Sequence, residues 1–456
     1  GHVTLGSLRV RQDRLIFEAL GGVAESGSGA PDDPVELALA RIRQLSAHEV
    51  GHTLGLAHNF AASTYGRASV MDYPAPLVTI GDGGALDFAA AYDVGVGAWD
   101  VHAVRYAYSQ FPAGTDEEQA LEHLVREAER GGLRFVTDAD ARPAGAAHPW
   151  GNLWDNGSDP VAELARLVEV RRLAMSRFGV ANLGTDRPVA LLHETFVPLY
   201  FLHRFQILAA AKVLGGLDYR YAVQGDSDVA ARRLDPAWQR RALAGLLDLV
   251  EPAELEIDEA ILELLLPRPF GYGPNRELVA SEAAPAFDAV GAAATLADMV
   301  LEQVLQPERL VRVVDHHRRD ETQPSLGEVL GEVTRRVFED SRAAGRRQQE
   351  IERVVQSVTL DRMLSLARST AVPVQVQCRL EAELHNLDRL LSGAEPPLEP
   401  AYAAHLRGRI ARFLDRSEVG ADSVAAAAEP PPGQPIGLAP WLHSIESGCS
   451  QAEGRR

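Results

Sequence analysis

His48 and His52 stand four positions apart, Glu49 directly follows the first, and His58 comes six residues after the second, in the run His-Glu-Val-Gly-His-Thr-Leu-Gly-Leu-Ala-His. On a helix, residues i and i+4 share one face, so both imidazoles can address one ion. Glu49 lies about 100° further round the helix, badly aimed for a ligand but placed to meet a water on that ion. Gly55 then offers a stop, because glycine enters the left-handed conformation without a steric penalty. The chain can turn there and bring His58 in from another side. Three protein nitrogens leave one position of a tetrahedral zinc open, which marks a catalytic site and not a closed structural one. The chemistry is hydrolysis: zinc activates water and the neighbouring carboxylate accepts its proton. The short H-E-x-x-H form arises on many helices; with the glycine and third histidine in register it is far more specific.

The element that must carry the first two ligands is readable upstream. Asp33 before Pro34 is a good helix start, and Val35, Leu37, Leu39, Ile42 and Leu45 give a mostly apolar helix running into the histidines. Residues 3–20 read as a short strand passing into a helix. From 59 to 98 the chain is irregular, rich in Gly, Ala and Pro, and 98–108 is helical again. Beyond about 115, helical spacing recurs at 116–130, 160–178, 193–214, 236–249, 253–265, 284–305, 325–341, 346–368, 376–392 and 401–416, with many of the segments separated by Pro and Gly clusters. The expected fold class is mainly α, a zinc-binding catalytic subdomain followed by a helical domain. The expected division is 1–110, 111–420, and a linker and disordered tail over 421–456.

Thirteen positions after His58 stands Met71, within Ser69-Val70-Met71-Asp72-Tyr73-Pro74. The long zinc motif followed by a methionine turn resembles the metzincin clan of zinc peptidases, in the Ser-x-Met-x-Tyr form of astacins and serralysins. Carried over, the resemblance makes Met71 the apolar floor of the site and Tyr73 a switch ligand or oxyanion donor. HEVGHTLGLAHNF, SVMDYP, AWDVHAVRYAY, LWDNGSDP and FLHRFQILAAAKVLGG together resemble a bacterial family of large zinc-dependent metalloproteases carrying domains of unknown function. That resemblance covers most of 1 to about 420 and is strongest over 41–110. It implies Zn2+ as cofactor, a peptide or protein substrate, and an extracytoplasmic location. It also implies a longer upstream region that builds a sheet for substrate and partners this chain; only 47 residues precede His48 here.

Other residues carry weaker signals. Asn59 reads chiefly as a loop cap; Asp72 is either a carboxylate on a ligand histidine or a turn former. Asp155-Asn156-Gly157-Ser158-Asp159 looks like a calcium loop but lacks its bidentate glutamate, and Asp159-Pro160 is better read as a helix cap. His193 and His203 have no second histidine at helical spacing, and His102 and Tyr106 read equally as cleft or core. His316-His317 marks a charged helix end; Arg342, Arg346 and Arg347 mark a solvated face. Cys378 and Cys449 have no metal-type spacing, and a bridge between them stays open.

The net charge of −19 and a pI near 5.2 argue against nucleic acid or an anionic membrane as the main partner. No apolar run approaches the ~20 residues of a membrane span. The sequence opens without Met or a signal pattern, as the middle of a longer protein would. Zinc peptidase is the expected function. The alternatives are a catalytically weak, zinc-stabilised binding or scaffold protein, and hydrolysis of another amide or ester.

Overall fold

The computed structural model describes residues 7–415 except 225–229, 274, 341–342, 370–371 and 394–397. Cys449 and the expected linker and tail over 421–456 therefore lie outside the described residues.

Helix α1 (Ser7–Gly21) leads through a loop to α2 (Pro34–Thr53), which carries His48 and His52. The start of α2 is held as its sequence suggests: Asp33 accepts from the Val35 amide at 2.8 Å and from the loop amides of Gly27 and Gly29, with Pro34 in the first turn. Its end follows suit, with Gly55 at φ 84°. A 3₁₀ turn over Phe60–Tyr65 and a small hairpin, β1 (Thr79–Ile80) with β2 (Leu86–Asp87), lie before α3 (Ala98–Tyr108). Next come α4 (Glu117–Arg130), the single-turn α5 (Asp138–Ala141) and α6 (Pro160–Arg177). Asp159 caps α6 through the Val161 and Ala162 amides, so this carboxylate serves a helix start.

The remaining helices are α7 (Leu192–Tyr200), α8 (Arg204–Ala211), α9 (Pro236–Asp248), α10 (Pro252–Leu255), α11 (Glu259–Leu262), α12 (Ala289–Val304), α13 (Pro307–Arg319), α14 (Leu326–Thr334), α15 (Arg346–Arg368), α16 (Val374–Leu391) and α17 (Pro400–Leu414). The chain is mainly α. The strands among the described residues form two small antiparallel pairs, the second being β3 (Leu217–Tyr219) with β4 (Ala231–Arg233). No described helix is long and apolar enough to cross a membrane.

Several boundaries differ from those expected. The segment 193–214 is two helices, α7 ending at Tyr200 with Pro198 inside it and α8 starting at Arg204; Arg171 donates to the Tyr200 carbonyl at 2.8 Å. The 253–265 stretch is two single turns, since Asp258 caps a fresh start through the Ala260 amide. The end of 325–341 is a π turn over Arg335–Glu339. The helical part of 3–20 is α1 from Ser7, and the short strand expected before it lies outside the described residues.

One apolar core runs from Phe17 and Leu37 through α6–α9 to Leu406 and Ile410. α12 is buried along several faces, with Ala292, Ala293, Leu296, Ala297, Val300 and Leu301 all inaccessible, because it packs on α15, α8 and α9 at once. A separate small cluster of Phe60, Tyr73, Ala141 and Trp154 lies under the histidines.

Candidate metal centre

The helical register of α2 brings His48 and His52 to one face, with ring centroids 4.6 Å apart. Beyond Gly55, His58 returns so that its ring lies 4.7 Å from His52 and 5.2 Å from His48. One nitrogen from each ring falls within 4.8 Å of the others, the one such group of His, Cys, Asp or Glu among the described residues.

Each imidazole is turned inward by an oxygen behind it. The Nδ1–H of His48 donates to the Val70 carbonyl at 2.6 Å, that of His52 to the Leu56 carbonyl at 2.9 Å, and that of His58 to Asp138 Oδ2 at 2.7 Å. These bonds fix the tautomer in all three rings and leave the Nε2 lone pairs facing inward. His48 Nε2 is buried and has no partner, and the Nε2 atoms of His52 and His58 face each other at 3.2 Å. Two lone pairs at that distance repel unless a proton or a metal cation lies between them. Two ligands at 2.0–2.1 Å from zinc in a tetrahedron stand about 3.4 Å apart, so the donor set fits that ion. Burial pushes the His48 imidazole down to about 3, so it is neutral and ready to ligate at ordinary pH.

The methionine turn sits where the helix is thinnest. Met71 is fully buried, and a Cβ placed on Gly51 would overlap its sulfur, so the turn between His48 and His52 rests directly on the methionine. Asp100, in the first turn of α3, holds this segment by accepting from Ser69 Oγ at 2.7 Å, the Val70 amide at 2.9 Å and the Gly97 amide at 2.7 Å. The Val70 carbonyl that orients His48 also accepts from Gln44 of α2 at 3.3 Å. Asn59 fixes the exit of the ligand loop, accepting from the Ala61 and Val136 amides and donating to the Arg134 carbonyl.

The Tyr73 ring lies 4.9 Å from His48 and 5.0 Å from His58, and stacks on Trp154 at 5.4 Å. Burial pushes its hydroxyl up and the Arg142 guanidinium beside it pulls the other way. Glu49 is half-buried on α2 next to His48.

The carboxylate on a ligand histidine is not Asp72. That side chain is spent locally, accepting from the Ser63 amide at 2.9 Å and the Tyr73 amide at 2.6 Å, which makes it the turn former. Asp138 takes the ligand-facing role from 80 residues beyond His58. Burial would raise the Asp138 carboxyl, but His58 and Arg142 outweigh it and hold it well below the usual carboxylate range. Phe60 stacks on His58 at 5.2 Å, and fully buried Arg41 lies 5.0 Å over Trp154. No spacing rule reaches Asp138 or Trp154.

His102 packs against Trp99 at 5.4 Å on α3, and Tyr106 is exposed. His193, His203 and His316 are buried away from the triad. Arg347 pairs with Glu256 and Glu259, and Cys378 is exposed.

A glycine-backed histidine helix resting on a buried methionine turn is the arrangement of the metzincin class. A family model described as Met-zincin matches residues 30–345, and the chain belongs to the Met-zincin family. No curated protein and no solved structure matches the chain.

Proposed function

We propose that the protein is a zinc-dependent metallopeptidase, with His48, His52 and His58 as ligands and Glu49 as general base. The observation that carries this reading is the inward convergence of three Nε2 atoms whose tautomers are set from behind, beside a carboxylate on the same helix. His48, His52 and His58 would hold the zinc, which would supply an acidified water, its pKa lowered towards about 7, and a Lewis acid for the scissile carbonyl.

The chain's own residues then divide the work. Glu49 accepts a proton from the attacking water and returns it to the amide nitrogen as the C–N bond breaks, so the amine leaves neutral. The Tyr73 hydroxyl donates to the carbonyl oxygen as negative charge builds on it. Met71 and the aromatic layer of Phe60, Tyr73 and Trp154 keep the ligand rings from tilting. Residues 1–110 would form the catalytic region, with Asp138, Arg142 and Trp154 reaching it from the helical part. By family resemblance, the enzyme works outside the cytoplasm.

Glu49→Gln tests the proposal against a zinc-stabilised scaffold. Casein hydrolysis by the zinc-loaded variant should fall about 10²–10⁴-fold while zinc content is unchanged. Equal hydrolysis by variant and wild type would remove Glu49 from the mechanism, and a wild type that binds zinc but cleaves nothing would favour the scaffold.

A further inference from the structure

Arg142 follows α5 and reaches back to the metal centre without touching a ligand. Its Nε donates to Asp138 Oδ1, the carboxylate whose other oxygen holds His58. The guanidinium carbon lies 5.6 Å from the Phe60 ring and 5.9 Å from the Tyr73 ring, within hydrogen-bonding reach of the Tyr73 hydroxyl. Only 17% of the side chain is exposed. The edge facing Asp138 is used, yet Nη1 is buried with no acceptor.

A buried, charged N–H without an acceptor is uncommon in folded proteins. A steadying role for Asp138 needs only the Nε edge, and the Tyr73 hydroxyl beside the guanidinium still leaves Nη1 without an acceptor. A planar fork presented beside a tyrosine hydroxyl matches an anionic oxygen with two donors. Resting on the peptidase reading, we infer that Arg142 contacts substrate, donating through Nη1 to an anionic oxygen of the peptide next to Tyr73.

Two oxygens of a peptide have that chemistry: the scissile carbonyl oxygen in the transition state, and a terminal carboxylate. The test uses the zinc-loaded full chain as wild type, Arg142→Gln and Arg142→Lys. The probe is one casein-derived peptide that the wild type cleaves, made with a free C-terminus and as its C-terminal amide. Both variants should keep wild-type zinc content and melting temperature. Arg142→Gln should lose about 10²–10³-fold in turnover, as for removal of one oxyanion donor, with Arg142→Lys in between.

An equal kcat loss on both peptides assigns the contact to the scissile oxygen. A loss seen only with the free acid, and carried by KM, assigns it to the terminal carboxylate. Wild-type kcat and KM in Arg142→Gln on both peptides would overturn the inference. So would a loss fully restored by excess zinc, which would mean that Arg142 acts only through Asp138 and His58. Should the wild type cleave no peptide, the peptidase reading fails separately. Affinity for a phosphinic peptide then decides: a loss in Arg142→Gln supports an anionic-oxygen contact, and binding equal to wild type refutes it.

Discussion

Asp138 lies far along the sequence from the imidazole it holds, and on the proposed reading it sets the affinity of the centre. His58 lies beyond the zinc helix, so its orientation depends on the 2.7 Å bond from Nδ1 to Asp138. Asp138→Asn keeps the shape but weakens that bond, and zinc affinity should drop about 10–100-fold. Competition against a chelator measures this, and unchanged affinity would detach Asp138 from the site. His52→Ala should lose tight zinc altogether, because two imidazoles cannot replace three. The pairing of His48 with His52 was legible because a four-residue spacing on a helix has one geometric meaning, and the approach of His58 because Gly55 lets the chain turn after that helix. The partner of His58 was not, because Asp72 and Asp138 are equally ordinary acids in sequence; only the folded chain shows the first turned to its own loop and the second to the imidazole.

Helix α2 and the methionine turn form one packed unit. Gly51→Ala would drive a methyl group into the Met71 sulfur, with backbone on one side and a fully buried core on the other. Overpacking of this kind destabilises by about 1–3 kcal/mol, and here zinc affinity should fall with the melting temperature. A variant as stable as wild type would show that the turn does not bear on the helix. Asp100→Ala should release Ser69, Val70 and Gly97 together, at a cost of about 2–3 kcal/mol for losing hydrogen bonds to a buried charge. Chemical denaturation measures it, and a change under half a kcal/mol would contradict the assignment. Helix α2 could be read from Asp33, Pro34 and Gly55 because caps act locally. The 59–98 segment could not, since its course is set by bonds to distant groups, such as Asp100 on Val70 and Val136 on Phe60.

The mainly α fold was visible as repeated helical spacing, whereas the way the helices join was not. Periodicity names a buried face without naming what covers it, so the single core from Phe17 to Ile410 emerges only in three dimensions. Other histidines outside the triad are buried too. His316 is buried near the end of α13, and burial, aided by Arg233, pushes its imidazole from 6.5 down to about 4. Between those values the unfolded chain binds a proton that the folded chain excludes, so stability should fall as pH drops from 6.5 towards 4. His316→Gln should make that fall shallower in denaturation series at several pH values; an unaltered slope would show that His316 does not contribute.

The most direct measurement is X-ray absorption at the zinc edge of the loaded protein, repeated on His58→Ala. Three imidazoles bound through nitrogen at 2.0–2.1 Å and one non-protein oxygen are predicted for the wild type, and one imidazole fewer for the variant. A sulfur ligand, four protein nitrogens, or the same shell in both proteins would contradict an open three-histidine centre.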